Sequence, residues 1–161
     1  MGETIKVGMA ELKTCVSPDS ITTLGLGSCV GIALRDPVTK IGGLAHIMLP
    51  DSTAMRNSQC IAKFADTGIE ELVSQMERLG AKRARMVAKI AGGATMFQFK
   101  TMSDTINVGQ RNIEASKKKL SELNIPIIAE DTGLNYGRTV TFFPEDGQYV
   151  IKTVGKGEHV I

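Results

Sequence analysis

Residues 29–49 read CVGIALRDPVTKIGGLAHIML, two apolar runs joined by Asp36-Pro37-Val38-Thr39. Proline pre-sets the φ angle wanted at the second position of a turn, so this stretch predicts a β-hairpin with strands over 29–35 and 41–49. With the turn centred between Pro37 and Val38, Arg35 opposes Lys40 and Cys29 opposes His46. Directly opposed residues project from one face with Cβ atoms about 4.5–5.5 Å apart. A thiol and an imidazole then share a face at a spacing suited to proton exchange. A bulge of one residue would send them to opposite faces.

Outward from the hairpin, short strands are expected at 4–9 and 21–26. Residues 60–79 carry Ile61, Ala65, Gly68, Leu72, Met76 and Leu79 at three- and four-residue steps, which predicts a helix stopped by Gly80. Phe64 and Ile69 widen its apolar stripe, as for a helix lying on a sheet. An apolar strand follows at 84–91, ending at Gly92-Gly93, and a second helix at 107–123 points Ile113, Leu120 and Leu123 inward. Strands at 125–130, 138–143 and 148–154 finish the chain, the last two joined at Pro144-Glu145-Asp146-Gly147. Many strands, two hairpins and two main helices give an α/β architecture and disfavour a regularly alternating parallel fold. No repeat, linker or low-complexity tract interrupts residues 1–161, so a single domain is expected.

Composition narrows the function. Of 161 residues, 42% are hydrophobic and 22% charged, enough for a true core in an ordinary soluble domain. A net charge of only +2, with no tryptophan and no basic run interleaved with aromatics, argues against a nucleic acid partner. Glu3, Lys6, Glu11, Lys13 and Asp19 break up any leader-like apolar segment, and no run approaches the roughly 18 residues of a membrane helix. Lys6 stands where a Met-Gly myristoylation signal wants Ser or Thr. The expected location is the cytoplasm, without membrane insertion. Cys15, Cys29 and Cys60 form an odd, scattered trio, as free thiols do in a reducing compartment. With only His46 and His159 to add, ligands are too few for a transition-metal site. No cofactor is expected.

Thr23-Leu24-Gly25-Leu26-Gly27-Ser28-Cys29-Val30 is the stretch richest in chemistry. A dinucleotide loop is one reading, but the third glycine, Gly31, comes one residue late, and a β-rich segment follows where a helix is needed. A tight turn around a small buried cysteine is the second. The third is a nucleophilic cysteine whose neighbouring glycines admit a substrate closely. A free thiol has a pKa near 8.5 and needs a base to attack as thiolate. His46 is the candidate, although a lone histidine between Ala45 and Ile47 also reads as a core residue. His159 reads as solvated, Lys117-Lys118-Lys119 as a solvated helix face, and Met96-Phe97-Gln98-Phe99 as the start of a buried strand.

These residues carry a family resemblance. Thr23 to Val30, followed by Ala45-His46-Ile47-Met48-Leu49-Pro50, resembles the signature of the CheD family of chemoreceptor glutamine deamidases. The likeness continues through Ala91-Gly92-Gly93-Ala94, Gly109-Gln110-Arg111-Asn112 and Asn135-Tyr136-Gly137-Arg138. One departure is Gly133-Leu134, where members tend to show two glycines. The resemblance implies layered, sandwich-like β-sheets with helices on one side, as in toxin-type cysteine deamidases. It implies a Cys29, His46 and Thr23 catalytic set, with Thr23 orienting the imidazole. Backbone around Gly27, Ser28 and Cys29 would meet the substrate and its oxyanion. The implied reaction is hydrolysis of glutamine side chains on chemoreceptor cytoplasmic domains, with the CheC phosphatase as a second partner. The rivals are a non-catalytic module regulating that phosphatase, and a peptidase or transglutaminase using the same thioester chemistry.

Overall fold

Two five-stranded sheets stack face to face in the computed structural model, which describes residues 2–52, 60–95 and 107–161. The strands are β1 (Thr4–Val7), β2 (Leu12–Val16), β3 (Ser20–Leu26), β4 (Val30–Asp36), β5 (Ile41–Ile47), β6 (Val87–Gly92), β7 (Ile127–Thr132), β8 (Arg138–Phe143), β9 (Gln148–Thr153) and β10 (Gly157–Val160). The helices are α1 (Ala65–Arg78) and α2 (Val108–Glu122). One sheet has the order β1-β3-β8-β9-β10 and the other β2-β5-β4-β6-β7. Both are mixed, since β1–β3 and β6–β7 run parallel while the other pairs are antiparallel.

Strand alternation divides the core in two. Val30, Ile32 and Leu34 of β4, with Ala45 and Ile47 of β5, pack under the helices against Ile69, Leu72, Met76, Ile113 and Leu120. Ala33 and Leu44, on the opposite face, meet Ile21, Val140, Tyr149 and Ile151 of the first sheet. Each fully buried Leu or Ile here contributes about 1.5–3 kcal/mol. Both helices lie over the second sheet, so the layers run helix, sheet, sheet. The layered architecture and the one-sided helices expected from sequence are both present.

The hairpin register differs from the expected one. Gly31, not Cys29, faces His46, and Asp36 faces Ile41 across a Pro37–Lys40 loop. The turn is longer because Lys40 takes a left-handed φ of 56° and its N–H donates to the Asp36 carbonyl at 2.9 Å. The Asp36 carboxylate also accepts from Val38 N at 2.9 Å. The slip is two residues, and side chains alternate with a period of two, so Cys29 and His46 keep a common face.

Asp36 therefore sets the register, and it is fully buried. It also accepts from Lys82 N at 2.9 Å and pairs with the Arg85 guanidinium at 2.7 Å. Those contacts pull residues 83–85 into a 3₁₀ turn, which is why β6 starts at Val87 instead of 84. The Arg85 hydrogen bonds hold the carboxyl far below the usual carboxylate range. A depressed folded-state pKa gives stability that is present above the unfolded value near 4 and is lost as pH falls below it. Asp36→Asn is expected to cost about 3 kcal/mol at pH 7, because it breaks a buried pair. Melting curves at pH 7 and pH 3 check this, since the gap from wild type should shrink at the lower pH.

The first helix is shorter than 60–79. Phe64 is extended (φ −111°, ψ 143°) and bridges Leu49, leaving a 3₁₀ turn at Ile61–Lys63 before α1. The Lys63 carbonyl accepts from Met48 N and Leu49 N, so it cannot continue a helix. Ile61 and Leu79, expected in the stripe, are exposed. Strands β2 and β10 went unread because they are short and little buried, with only Cys15 fully buried in β2 and β10 exposed along its whole length. The segment Met96–Phe99 lies outside the described residues.

Candidate active site

Thr23 and His46 are hydrogen-bonded between the sheets, and Cys29 packs in the same inter-sheet layer. Thr23 lies in β3, opposite Val7 of β1 and Val140 of β8, and is buried. His46 is wholly buried near the end of β5. Cys29 directly precedes β4 and is 7% exposed, in the inter-sheet cluster with Ala33 and Leu44. Three elements from two sheets thus deliver the three side chains that the family signature singles out.

The Thr23 hydroxyl fixes the imidazole tautomer. Its Oγ1 lies 2.7 Å from His46 Nδ1 and 2.7 Å from the Val7 carbonyl oxygen. A hydroxyl has one proton and a carbonyl can only accept, so that proton goes to Val7. Oγ1 must then accept from Nδ1–H, which leaves Nε2 with its lone pair free. Nε2 is buried and has no hydrogen-bond partner among the described residues. The resting Cys29 thiol is therefore not bonded to it.

Electrostatics agree with an uncharged resting pair. Burial raises the Cys29 thiol pKa, against a smaller lowering by its own backbone N–H, and burial lowers that of His46. Desolvation favours the neutral form of each. Iodoacetamide at pH 7.5 is thus expected to label exposed Cys60 first, Cys29 more slowly and Cys15 slowest. Cys15 is buried and pushed up to about 12 by desolvation and by the neighbouring Asp19 charge. Mass spectrometry of labelled peptides over time checks the order. Fastest labelling at Cys29 would mean a preformed thiolate.

The loop carrying Gly27, Ser28 and Cys29 is held by its carbonyls. Gly27 O accepts from Ala94 N at 2.8 Å and Cys29 O from Gly93 N at 2.8 Å. The approach demands glycine, since a Cβ on Gly92 would lie 2.2 Å from Cys29 O, and Gly92 and Gly93 both have positive φ. Ser28 O accepts from the Asn112 Nδ2 at 2.9 Å, and the same nitrogen donates to Met48 O at 3.0 Å. Asn112 and the Gly-Gly turn entered the sequence reading only as minor pieces of the resemblance. The signal available was Asn112 beside Ile113 on the inward stripe of the second helix.

Other expectations resolve more simply. His159 is half exposed and pairs with Asp131, which also holds the buried Arg138. Lys119 is mostly covered and pairs with Glu70, while Lys117 pairs with Glu130, so only part of that lysine run is a solvated face. Leu134, at the departure from the glycine pair, has a left-handed φ of 60°, the conformation glycine adopts without strain. Among the described residues no cluster of metal-ligating side chains exists, and no helix is long and apolar enough to cross a membrane.

The inter-sheet layer thus holds a buried thiol, an imidazole whose Nε2 has no partner among the described residues, and a threonine hydroxyl bonded to Nδ1. Residues 48–153 match the family model described as CheD chemotactic sensory transduction. The protein named probable chemoreceptor glutamine deamidase CheD from Lachnoclostridium phytofermentans is 61% identical over 100% of both chains. Chemoreceptor glutamine deamidase CheD from Halalkalibacterium halodurans is 51% identical, again over 100% of both. The probable CheD of Caldanaerobacter subterraneus is 53% identical over 95% of this chain and 94% of its own. Among solved structures, the Bacillus licheniformis hypothetical protein YfiH matches with a TM-score of 0.45 and 18% identity, over 72% of this chain and 47% of its own. The chain belongs to the CheD family. The family-model match begins at Met48 and does not include Thr23, Cys29 or His46.

Proposed function

We propose that this protein deamidates glutamine side chains on chemoreceptor cytoplasmic domains, with Cys29 as nucleophile, His46 as base and Thr23 as orienter. The observation that carries the reading is the Thr23 hydroxyl, whose only proton goes to Val7 O and whose lone pair therefore holds Nδ1–H. That arrangement leaves a buried imidazole nitrogen as base in the space Cys29 faces. A module that only bound a phosphatase would have no use for it.

Because the resting pair is neutral, proton transfer accompanies attack. The Cys29 proton passes to His46 Nε2 as Sγ bonds to the side-chain carbonyl carbon, and the carbonyl π pair moves onto oxygen. Backbone N–H groups of Ser28 and Cys29 hold that oxyanion, with Gly27 leaving room for the substrate. The imidazolium then protonates the departing nitrogen, which leaves as ammonia and gives a thioester. Neutral His46 activates a water, the C–S bond breaks, and glutamate is released with the thiol restored. No step calls for a metal or cofactor.

The reading treats residues 1–161 as one catalytic domain acting in the cytoplasm, where receptor signalling domains and free thiols are found. The CheC phosphatase is a further partner on the strength of the family resemblance. Intact-mass analysis of a receptor cytoplasmic fragment tests the reaction. Each event replaces NH₂ by OH and adds about one dalton, with ammonia released and the chain uncut. Chain cleavage or crosslinking would instead point to a peptidase or transglutaminase.

A further inference from the structure

Asn112 is wholly buried in the first turns of α2, yet its carboxamide bonds to nothing on its own helix among the described residues. Nδ2 donates one hydrogen to Ser28 O and the other to Met48 O, and the opposite flip would set Oδ1 against two carbonyls. Oδ1 has no partner among the described residues, so half of the group's bonding capacity is given up to keep these two bonds. Gly109, three residues earlier on the same face, permits the reach, since a Cβ there would lie 2.3 Å from Ala94 O.

The consequence follows from peptide geometry. In a trans peptide the N–H points opposite to the C=O of the preceding residue. Holding Ser28 O toward α2 turns the Cys29 N–H away from it, and the Gly27 O to Ala94 N bond turns the Ser28 N–H likewise. The Cys29 N–H thus points away from the helical layer, toward the inter-sheet side on which the Cys29 side chain packs. Met48, two residues past His46, is the other anchor, so one amide ties the nucleophile loop to the end of the strand bearing the base.

We propose that Asn112 is a positioning residue of the reaction, whose side-chain amide aims the Cys29 N–H as an oxyanion donor by holding the Ser28 carbonyl. This rests on the deamidation reading above. Asn112→Ala and Asn112→Asp are expected to lower kcat on a receptor fragment by roughly 30-fold or more, part of the 10²–10³ that a lost oxyanion donor costs. KM should stay within about threefold, since ground-state binding is untouched. Iodoacetamide alkylation of Cys29 at pH 9.5 should also stay within about threefold, because that displacement develops no oxyanion. Wild-type kcat in a folded variant overturns the proposal, as does an equal loss of deamidation and alkylation, which marks a general collapse of the site. No deamidation of the receptor fragment by the wild-type protein would instead sink the deamidation reading itself. Should neither variant melt cooperatively, the wild-type protein decides by NMR. The Asn112 side-chain protons should exchange far more slowly than those of exposed Asn124 and Asn135, and equal exchange overturns the proposal.

Discussion

Cys29→Ala removes glutamine deamidation, with a fall of about 10⁴-fold or more in rate on a receptor fragment, and His46→Ala comes close to it. In the proposed reaction the Cys29 sulfur supplies the bond that replaces the C–N bond. His46 matters nearly as much here because the resting thiol is protonated. Without Nε2, nothing takes the thiol proton at neutral pH and nothing protonates the leaving nitrogen. Cys15→Ala and Cys60→Ala should keep most of the rate, since Cys60 is exposed near the start of α1 and the Cys15 thiol serves packing. Their melting curves should show a small loss for Cys15→Ala alone. Substantial turnover by Cys29→Ala would refute the assignment.

Thr23→Val should cost about 10²- to 10³-fold in kcat with little change in KM, the pattern of a lost orienter. Valine keeps the β-branched shape, so the strand survives, but the Val7 carbonyl and His46 Nδ1–H lose their common partner. The imidazole can then adopt the other tautomer, which puts the proton on Nε2 and removes the base. Thr23→Ser should recover part of the loss, because the hydroxyl returns without the methyl that stiffens its rotamer. Adding Thr23→Val to Cys29→Ala should cost almost nothing more, as the three groups act together. Rates from the time course of ammonia release, with melting curves for each variant, decide the point. Wild-type turnover in Thr23→Val would mean that a different group orients His46.

Much of this was legible in the sequence, for reasons that differ from element to element. The hairpin reading put Cys29 directly opposite His46, which the register overturns, and only their common face survived because the slip was an even number of residues. Lys40 caused the slip by taking a left-handed conformation, a choice that a lysine does not advertise. The helix at 107–123 was placed within a residue because Asn107 caps it and the apolar spacing is regular, while Phe64 cut the first helix short through a bridge to Leu49. Edge strands β2 and β10 lacked the alternation that burial imposes. Asn112 escaped because its role depends on two carbonyls, at Ser28 and Met48, far away in sequence. The direction of the Cys29 shift depends on desolvation, and so on packing that the chain order does not reveal.

The Val7 carbonyl is a functional atom that no genetic substitution can delete. Every amino acid presents the same oxygen at that place, so an alanine scan along β1 would pass over it in silence. Replacing the amide that follows with an ester, by semisynthesis at Gly8, would weaken the oxygen as an acceptor without altering a single side chain. The consequence reaches to evolution, because packing between the sheets constrains the side chain at position 7, while the oxygen comes with any residue that keeps the edge strand in register with β3. A necessary part of the chemistry is thereby encoded in the path of the backbone and not in any letter of the sequence.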